Sequence, residues 1–250
     1  MELPYTGAFE KDTLFGFSVQ DYVDTFNYAF GLTDDSKLTD KIVLEAGCGA
    51  SSLIPSLARH YPAATFIAFD FSTSAFHLAR KVESLPNAHI IRADIHKLPF
   101  SEDQFDLTYS SGVLHHLPNT FEGLQNLYRV TRYSGLLYSW IYSKDTFCVY
   151  HLLRKLLPLS YKYPYIMRLA VSVGLSPLIY AFQRVTGLTS YKLNPEKIRT
   201  IVLRIFDNIS PEFQHRHTRD NVQSWIETLG VERYAVVNEL GFVLKKERVA

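Results

Sequence analysis

Glu45, Gly47, Gly49 and Asp70 are the residues of this 250-residue chain whose types and spacing point most directly to chemistry. Val43-Leu44-Glu45-Ala46 is an apolar run carrying one carboxylate, and Gly47-Cys48-Gly49 follows at once. Glycines there permit a tight turn and let a ligand approach the backbone closely. A helix-forming stretch comes next, and its first N–H groups are expected to face a negative ligand group. Asp70 ends a second apolar run, Phe66-Ile67-Ala68-Phe69, twenty-three residues after Gly47. A carboxylate accepts from two donors at once, so Asp70 suits the two hydroxyls of a ribose. Taken alone, Asp70 equally suits a helix N-cap before Ser72. Cys48 needs only to be small and apolar within the turn.

Histidines supply the candidates for moving a proton, because an imidazole titrates near neutrality. His115 and His116 follow a third apolar run, Phe105 to Val113, and His215 and His217 lie a hundred residues on. His116 is the first choice as general base and His217 the second, each reaching the carboxyl edge of a sheet where such folds bind ligands. A packing role is the alternative for His116. Four imidazoles also suit zinc, but neither a cysteine pair nor clustered carboxylates accompany them, so no metal is expected.

These side chains need a scaffold of alternating strands and helices. Strands are predicted near 41–46, 65–69, 88–92, 105–110 and 135–142, with helices near 51–60, 72–84 and 120–132. Such alternation reads as a doubly wound α/β sheet. A hairpin of Arg233–Val237 and Phe242–Lys246 around Asn238-Glu239-Leu240-Gly241 closes it, and Thr218 and Gly230 mark the start and stop of a last helix.

Glu45-Ala46-Gly47-Cys48-Gly49 resembles motif I, E/D-x-G-x-G, of class I S-adenosylmethionine-dependent methyltransferases. A nicotinamide site shows G-x-G-x-x-G, and the third glycine position here is Ser52. Three further stretches match in order: Asp70-Phe71-Ser72, then Ile90-Ile91-Arg92-Ala93-Asp94-Ile95, then Phe105 through Ser110-Ser111-Gly112-Val113-Leu114-His115-His116-Leu117. The resemblance implies a Rossmann-like doubly wound sheet of seven mostly parallel strands with a terminal antiparallel hairpin. It implies S-adenosyl-L-methionine as cofactor, held by Glu45, Gly47, Cys48, Gly49, Asp70, Phe71, Asp94, Ile95, Ser110 and Ser111. Asp70 would take the ribose hydroxyls, Asp94 the adenine amino group, and Ile95 the ring. The later stretch Phe206-Asp207 to Gly230 and the early Phe15-Gly16-Phe17 resemble a type 11 small-molecule subgroup. Where that family has Lys-Pro-Gly-Gly before its fifth strand, this chain has Arg132-Tyr133-Ser134-Gly135. The implied activity is methyl transfer to an O, N or C atom of a small molecule. A SAM-binding regulatory or assembly protein without transfer is the alternative, and a nicotinamide oxidoreductase is disfavoured by Glu45 and Ser52.

Composition narrows the partners. A formal charge of +1 gives no global attraction to nucleic acid. The signature Asn/Asp-Pro-Pro-aromatic of base N-methylation is replaced by Ser110-Ser111-Gly112-Val113. Cys48 and Cys148 define no disulfide framework, and Glu2, Glu10 and Asp12 stand where a secretory leader would be apolar, so a cytoplasmic protein is expected. The expected organisation is an N-terminal arm and core over 1–145, a cap insertion over 146–195, and completion of the core over 196–250. The insertion holds Arg154, Lys155, Lys162, Arg168, Arg184 and Lys192 and no acid, and Pro158, Pro164 and Pro177 are expected to divide it into short helices. It suits a lid with a solvated basic face, an interface, or peripheral contact with an anionic membrane. Its longest uncharged run, 169–183, is too short to span a bilayer. Its apolar content points to an amphipathic or lipid-like acceptor.

Overall fold

A computed structural model describes residues 13–14, 17–33, 35–49, 51–145, 149–187 and 195–247. Glu2, Glu10, Asp12, Phe15, Gly16, Cys148 and Lys192 lie outside the described residues.

The predicted strands form, and they sort by burial. β3 (Ile42–Ala46), β4 (Thr65–Asp70), β5 (Ala88–Arg92), β6 (Phe105–Ser111) and β7 (Thr131–Trp140) run parallel. β8 (Tyr234–Val236) and β9 (Gly241–Lys245) form the terminal hairpin, and β9 lies antiparallel to β7. The spatial order is β5-β4-β3-β6-β7-β9-β8, seven strands. β3 and β6 sit at its centre and are almost wholly buried, which is why their sequences are continuous apolar runs rather than alternating ones. The chain reverses direction across the sheet beside β3, so the carboxyl ends of β3, β4 and β6 open on one crevice. A two-residue pair, β1 (Thr13–Leu14) and β2 (Phe17–Ser18), precedes the first helix.

Helices cover both faces. α1 (Val19–Phe30), α2 (Leu53–His60) and α3 (Ser74–Val82) contribute Phe26, Phe30, Leu57 and Leu78 to one core, against Phe66 and Tyr109. α4 (Thr120–Val130) and α8 (Arg219–Thr228) contribute Leu124, Leu127 and Ile226 to the other, against Phe105 and Phe242. Thr218 caps α8 in a reciprocal box with Asn221, as the sequence predicts.

Two expectations are corrected. Arg132-Tyr133-Ser134-Gly135 is not a turn before the fifth strand: β7 starts at Thr131, directly out of α4, and the pairing with β6 shifts between Phe105 and Leu107. Ser134 takes φ +63°, and a side chain at Gly135 would stand 2.8 Å from the carbonyl oxygens of Arg132 and Asp106, so the segment is a bulge within the strand. In the insertion, α5 (Val149–Leu156) is short, but α6 (Tyr165–Val185) runs unbroken through Pro177 for 21 residues. Proline at 177 takes away the donor that Val173 O would receive in a regular helix. The Ser176 hydroxyl donates to that oxygen instead, at 2.8 Å. α7 (Pro195–Ile209) completes this part, and Tyr150, Leu153, Ile179, Ile201, Ile205 and Ile209 give it a core of its own.

Candidate functional site

The glycine turn after β3 is tied to β4. Gly47 N and Cys48 N both donate to Phe69 O, at 2.8 and 3.0 Å, and Gly49 N donates to Asp70 Oδ2 at 2.8 Å. Leu53 N, at the start of α2, is taken by Ser51 Oγ at 2.9 Å. These four donors are held within the fold. Gly47 has φ +75°, and a side chain there would collide with both methyls of Val113 after β6. The space beside Gly49, where a Cβ would stand, is open.

Asp70 ends β4 at the mouth of the crevice. Besides Gly49 N, it accepts from Ser72 N at 2.8 Å and from Ser72 Oγ at 2.6 Å. Three of about four lone-pair positions are thus in use, so a second incoming hydroxyl would displace the Ser72 hydroxyl. Phe71 is 70% exposed beside Asp70, with the Arg92 guanidinium 5.9 Å from its ring centre. Asp94 caps the single turn Ile95–Lys97 by accepting from His96 N at 2.9 Å, the local role its residue type favours. Ile95 is buried in the core rather than displayed. Ser110 is fully buried at the end of β6 and its Oγ has no hydrogen-bond partner among the described residues; Ser111 is half-buried.

Glu45 is the most unusual group. It is buried, and its Oε2 has no hydrogen-bond partner among the described residues. Burial first, and then the charge of Asp70, push its carboxyl from 4.5 up to about 8. A carboxyl raised in the fold stabilises it fully below about pH 4.5 and loses that contribution as pH rises to about 8. The ligand-free protein is therefore expected to lose thermal stability over that interval, on the order of a few kcal/mol at full extent. Glu45→Gln should flatten the profile of melting temperature against pH. An identical slope in the variant would assign the pH dependence to other groups.

The histidines far apart in sequence converge. His215 N donates to His115 O at 2.8 Å, and the His115 and His116 rings are 4.2 Å apart. His115 is fully buried, stacked on Tyr142 at 3.7 Å, and burial holds it well below its usual range. His116 Nδ1 lies 3.1 Å from Phe213 O. A carbonyl only accepts, so Nδ1 carries the proton of the neutral ring and Nε2 keeps the lone pair. Burial lowers His116 as well, against the raising charge of Asp207. His217 is anchored differently: Nε2 lies 3.0 Å from Thr120 Oγ1, the ring meets Trp225 edge-on, and burial brings it down to about 4. Its backbone bridges the chain past β7, with His217 N donating to Tyr142 O at 3.0 Å and His217 O accepting from Lys144 N at 2.9 Å. Among the described residues no group of three or more His, Cys, Asp or Glu side chains is arranged to hold a metal.

Sequence reasoning missed Tyr22, Val113, Tyr142 and Asp207. Tyr22 on α1 is raised to about 12 by burial and by Asp21, and also feels Glu45 on one side and Arg204 and Asp207 of α7 on the other. The Tyr142 hydroxyl donates to Asp207 Oδ2 at 2.9 Å. Val113 and Asp207 lie inside stretches that resemble the family, yet no motif gives any of the four a role, because each is brought in by tertiary packing.

A seven-stranded sheet in this order, with the glycine turn and the Asp70 carboxylate on its central crevice, defines the class I S-adenosylmethionine-dependent methyltransferase fold. Residues 44–139 match the model of a type 11 methyltransferase domain. S-adenosyl-L-methionine is the cofactor of that domain. Curated relatives include a malonyl-[acyl-carrier protein] O-methyltransferase of Legionella pneumophila, 30% identical over 112 residues, which are 44% of this chain and 39% of the relative. Another is the phthiotriol/phenolphthiotriol dimycocerosates methyltransferase 1 of Mycobacterium ulcerans, 30% identical over 40% of this chain and 37% of its own. The aligned stretch spans less than half the length of either relative. A solved structure from Methanococcus maripaludis, assigned as an S-adenosyl-L-methionine-dependent methyltransferase, superposes with a TM-score of 0.53. It covers 92% of this chain and 85% of its own at 16% identity, a likeness of fold.

The cofactor fits the crevice on two counts of geometry. The open space at Gly49 and the unpartnered, buried Glu45 Oε2 suit a ligand that is a nucleoside at one end and cationic at the other.

Proposed function

We propose that this protein is an S-adenosylmethionine-dependent methyltransferase acting on an amphipathic, lipid-like or carrier-bound acceptor. The observation that carries the reading is the grouping of Glu45, the Gly47–Gly49 turn and Asp70 at one crevice, with His116 in the loop after β6. Bound S-adenosylmethionine supplies a sulfonium methyl already activated for attack. The chain's residues then align, exclude water and manage a proton. Asp70 holds the ribose hydroxyls as the Ser72 hydroxyl turns aside, and Glu45 faces the cationic end. Gly47, Cys48 and Gly49 shape the turn. Phe71 and Ile95 contribute apolar surface, Asp94 accepts from the adenine amino group through its second oxygen, and Ser110 and Ser111 line the end of β6. His116 Nε2 takes the acceptor's proton where the acceptor is a hydroxyl, and His217 is the second candidate.

The acceptor class rests on two supports. The relatives' names specify a malonyl-[acyl-carrier protein] and phthiotriol/phenolphthiotriol dimycocerosates, and the insertion's α5 and α6, with α7 packed on them, border the histidine cluster through the segment after α7. We read this insertion, 146–195, as a cap on a core formed by 1–145 and 196–250, in a cytoplasmic protein.

Asp70→Ala is expected to weaken S-adenosylmethionine binding by about 1.5–3 kcal/mol in calorimetric titration, since two hydroxyl donors lose a charged acceptor. Asp70→Asn, which keeps the shape and one acceptor, should lose less. Unchanged affinity in a folded Asp70→Ala variant removes this residue from the site. Release of S-adenosylhomocysteine with acyl-carrier or lipid fractions tests the acceptor, and turnover confined to water-soluble fractions would overturn the lipid-like class.

A further inference from the structure

α6 is packed with its polar side inward. Arg168, Ser172, Ser176 and Gln183 are buried along it, Arg168 donating to Ser210 O at 3.2 Å and Gln183 to the Tyr150 hydroxyl at 3.2 Å. Its outward side is apolar: Ile166, Val173, Leu178 and Val185 are 77, 52, 66 and 88% exposed. Leu152 and Leu156, one turn apart on α5, are 54 and 66% exposed and add to the same insertion's apolar surface. A helix on a watery surface shows the reverse arrangement, apolar stripe in and polar residues out. Exposed apolar surface of this extent marks a docking face.

The charges say what it docks against. Between 149 and 187 there is no acidic residue. Arg154 and Arg168 turn inward to carbonyls, but Lys155, Lys162 and Arg184 stand exposed on these same elements. A second copy of this chain would bring the same acid-free, basic surface against itself. An anionic lipid surface matches both the apolar side chains and the cations around them.

We propose that the outer face of α5 and α6 seats in the headgroup layer of an anionic bilayer, with α6 lying in the plane of the interface. It lies rather than spans, although its 21 residues are long and apolar enough by length and composition to cross a bilayer. The uncharged stretch between Arg168 and Arg184 is 15 residues, which extends about 22 Å at the helical rise, short of the roughly 30 Å hydrocarbon layer. The inward side is also committed, Arg168 to Ser210 O and the Phe206 ring of α7, and Gln183 to Tyr150 of α5. The inference does not depend on methyl transfer, since docking needs neither cofactor nor acceptor.

The test is cosedimentation of the full chain with phosphatidylcholine vesicles, and with vesicles that also contain phosphatidylglycerol. Binding is expected to the mixed vesicles, weakened by high salt. Val173→Asp/Leu178→Asp should reduce it by about tenfold or more. Lys155→Ala/Lys162→Ala should reduce it about fivefold for each cation removed. All four positions are exposed, so melting temperature and S-adenosylmethionine affinity serve as controls for the fold and stay unchanged. In Leu178→Trp, the introduced indole's emission should shift to shorter wavelength on mixed vesicles. Binding that is equal on both lipids, or absent, overturns the proposal. So does a dimer that Val173→Asp/Leu178→Asp dissolves in a protein that ignores vesicles, which would give the face to a second copy.

Discussion

His116→Ala is expected to lower turnover by roughly 10²–10⁴ while leaving S-adenosylmethionine affinity intact, if the acceptor loses its proton during transfer. The geometry specifies more than a loss of rate. Phe213 O fixes the proton on Nδ1, so Nε2 alone is left to accept. Burial lowers His116 below the usual imidazole range, so the ring is neutral and competent at pH 7. The base is lost when it protonates. The acid limb of kcat/KM should therefore fall below about pH 6.5 in the wild type and vanish from the residual activity of the variant. Two controls separate base from packing. The cofactor's Kd, by titration, reports whether the loop after β6 kept its place, and the melting temperature reports the lost bond to Phe213. A drop in turnover below tenfold with an unaltered pH profile assigns His116 to packing. Cofactor binding with no transfer to any acceptor class, in the wild type itself, would make this a SAM-binding protein without an enzymatic step.

Gly47→Val should abolish measurable binding of S-adenosylmethionine. Two independent costs act at one residue. A φ of +75° is costly for any side chain and most so for a β-branched one. The new carbons also run into Val113, whose methyls close over Gly47. The first costs about 1–2 kcal/mol and the second about 1–3. The chain escapes both by moving the turn, which breaks the bonds of Gly47, Cys48 and Gly49 to the end of β4 and displaces Asp70's partner. A second change discriminates between the costs. Val113→Ala makes room, so Gly47→Ala/Val113→Ala should recover part of the affinity lost in Gly47→Ala, and the rest measures the backbone. Native affinity in a folded Gly47→Val protein would contradict the assigned turn.

The central sheet was legible because its strands are parallel and buried on both faces. That writes them as unbroken apolar runs ending at Glu45, Asp70 and Ser110. The glycine turn was legible for the same local reason, since positive φ selects the residue type. What escaped depends on side chains answering one another. Pro177 reads as a helix breaker, yet α6 continues through it, with the hydroxyl of Ser176 turned to Val173 O. Arg132 to Gly135 reads as a turn, yet close backbone contacts make it a bulge. His116 and Phe213 are 97 positions apart, and no pattern in either neighbourhood announces their bond. Which of the insertion's cations face solvent was not legible either. A charge count carries no direction, and two of those arginines point inward.

Those inward groups have a consequence for how this protein can be re-engineered. Arg154 donates to Pro211 O and Glu212 O at 2.7 and 2.6 Å, Arg168 to Ser210 O, and the Ser160 hydroxyl to Ile209 O at 2.7 Å. Four successive carbonyls, where α7 ends and the chain turns back toward the histidines, are thus satisfied from α5, α6 and the turn between them. Grafting a foreign 149–187 segment to redirect acceptor choice would orphan all four, at roughly 1–3 kcal/mol for each one that stays buried. The smallest transplantable module is consequently 149–217, with the histidine-bearing segment travelling alongside its clasp. Chimaeras cut at Gly187 are expected to fold poorly, and chimaeras cut after His217 to fold.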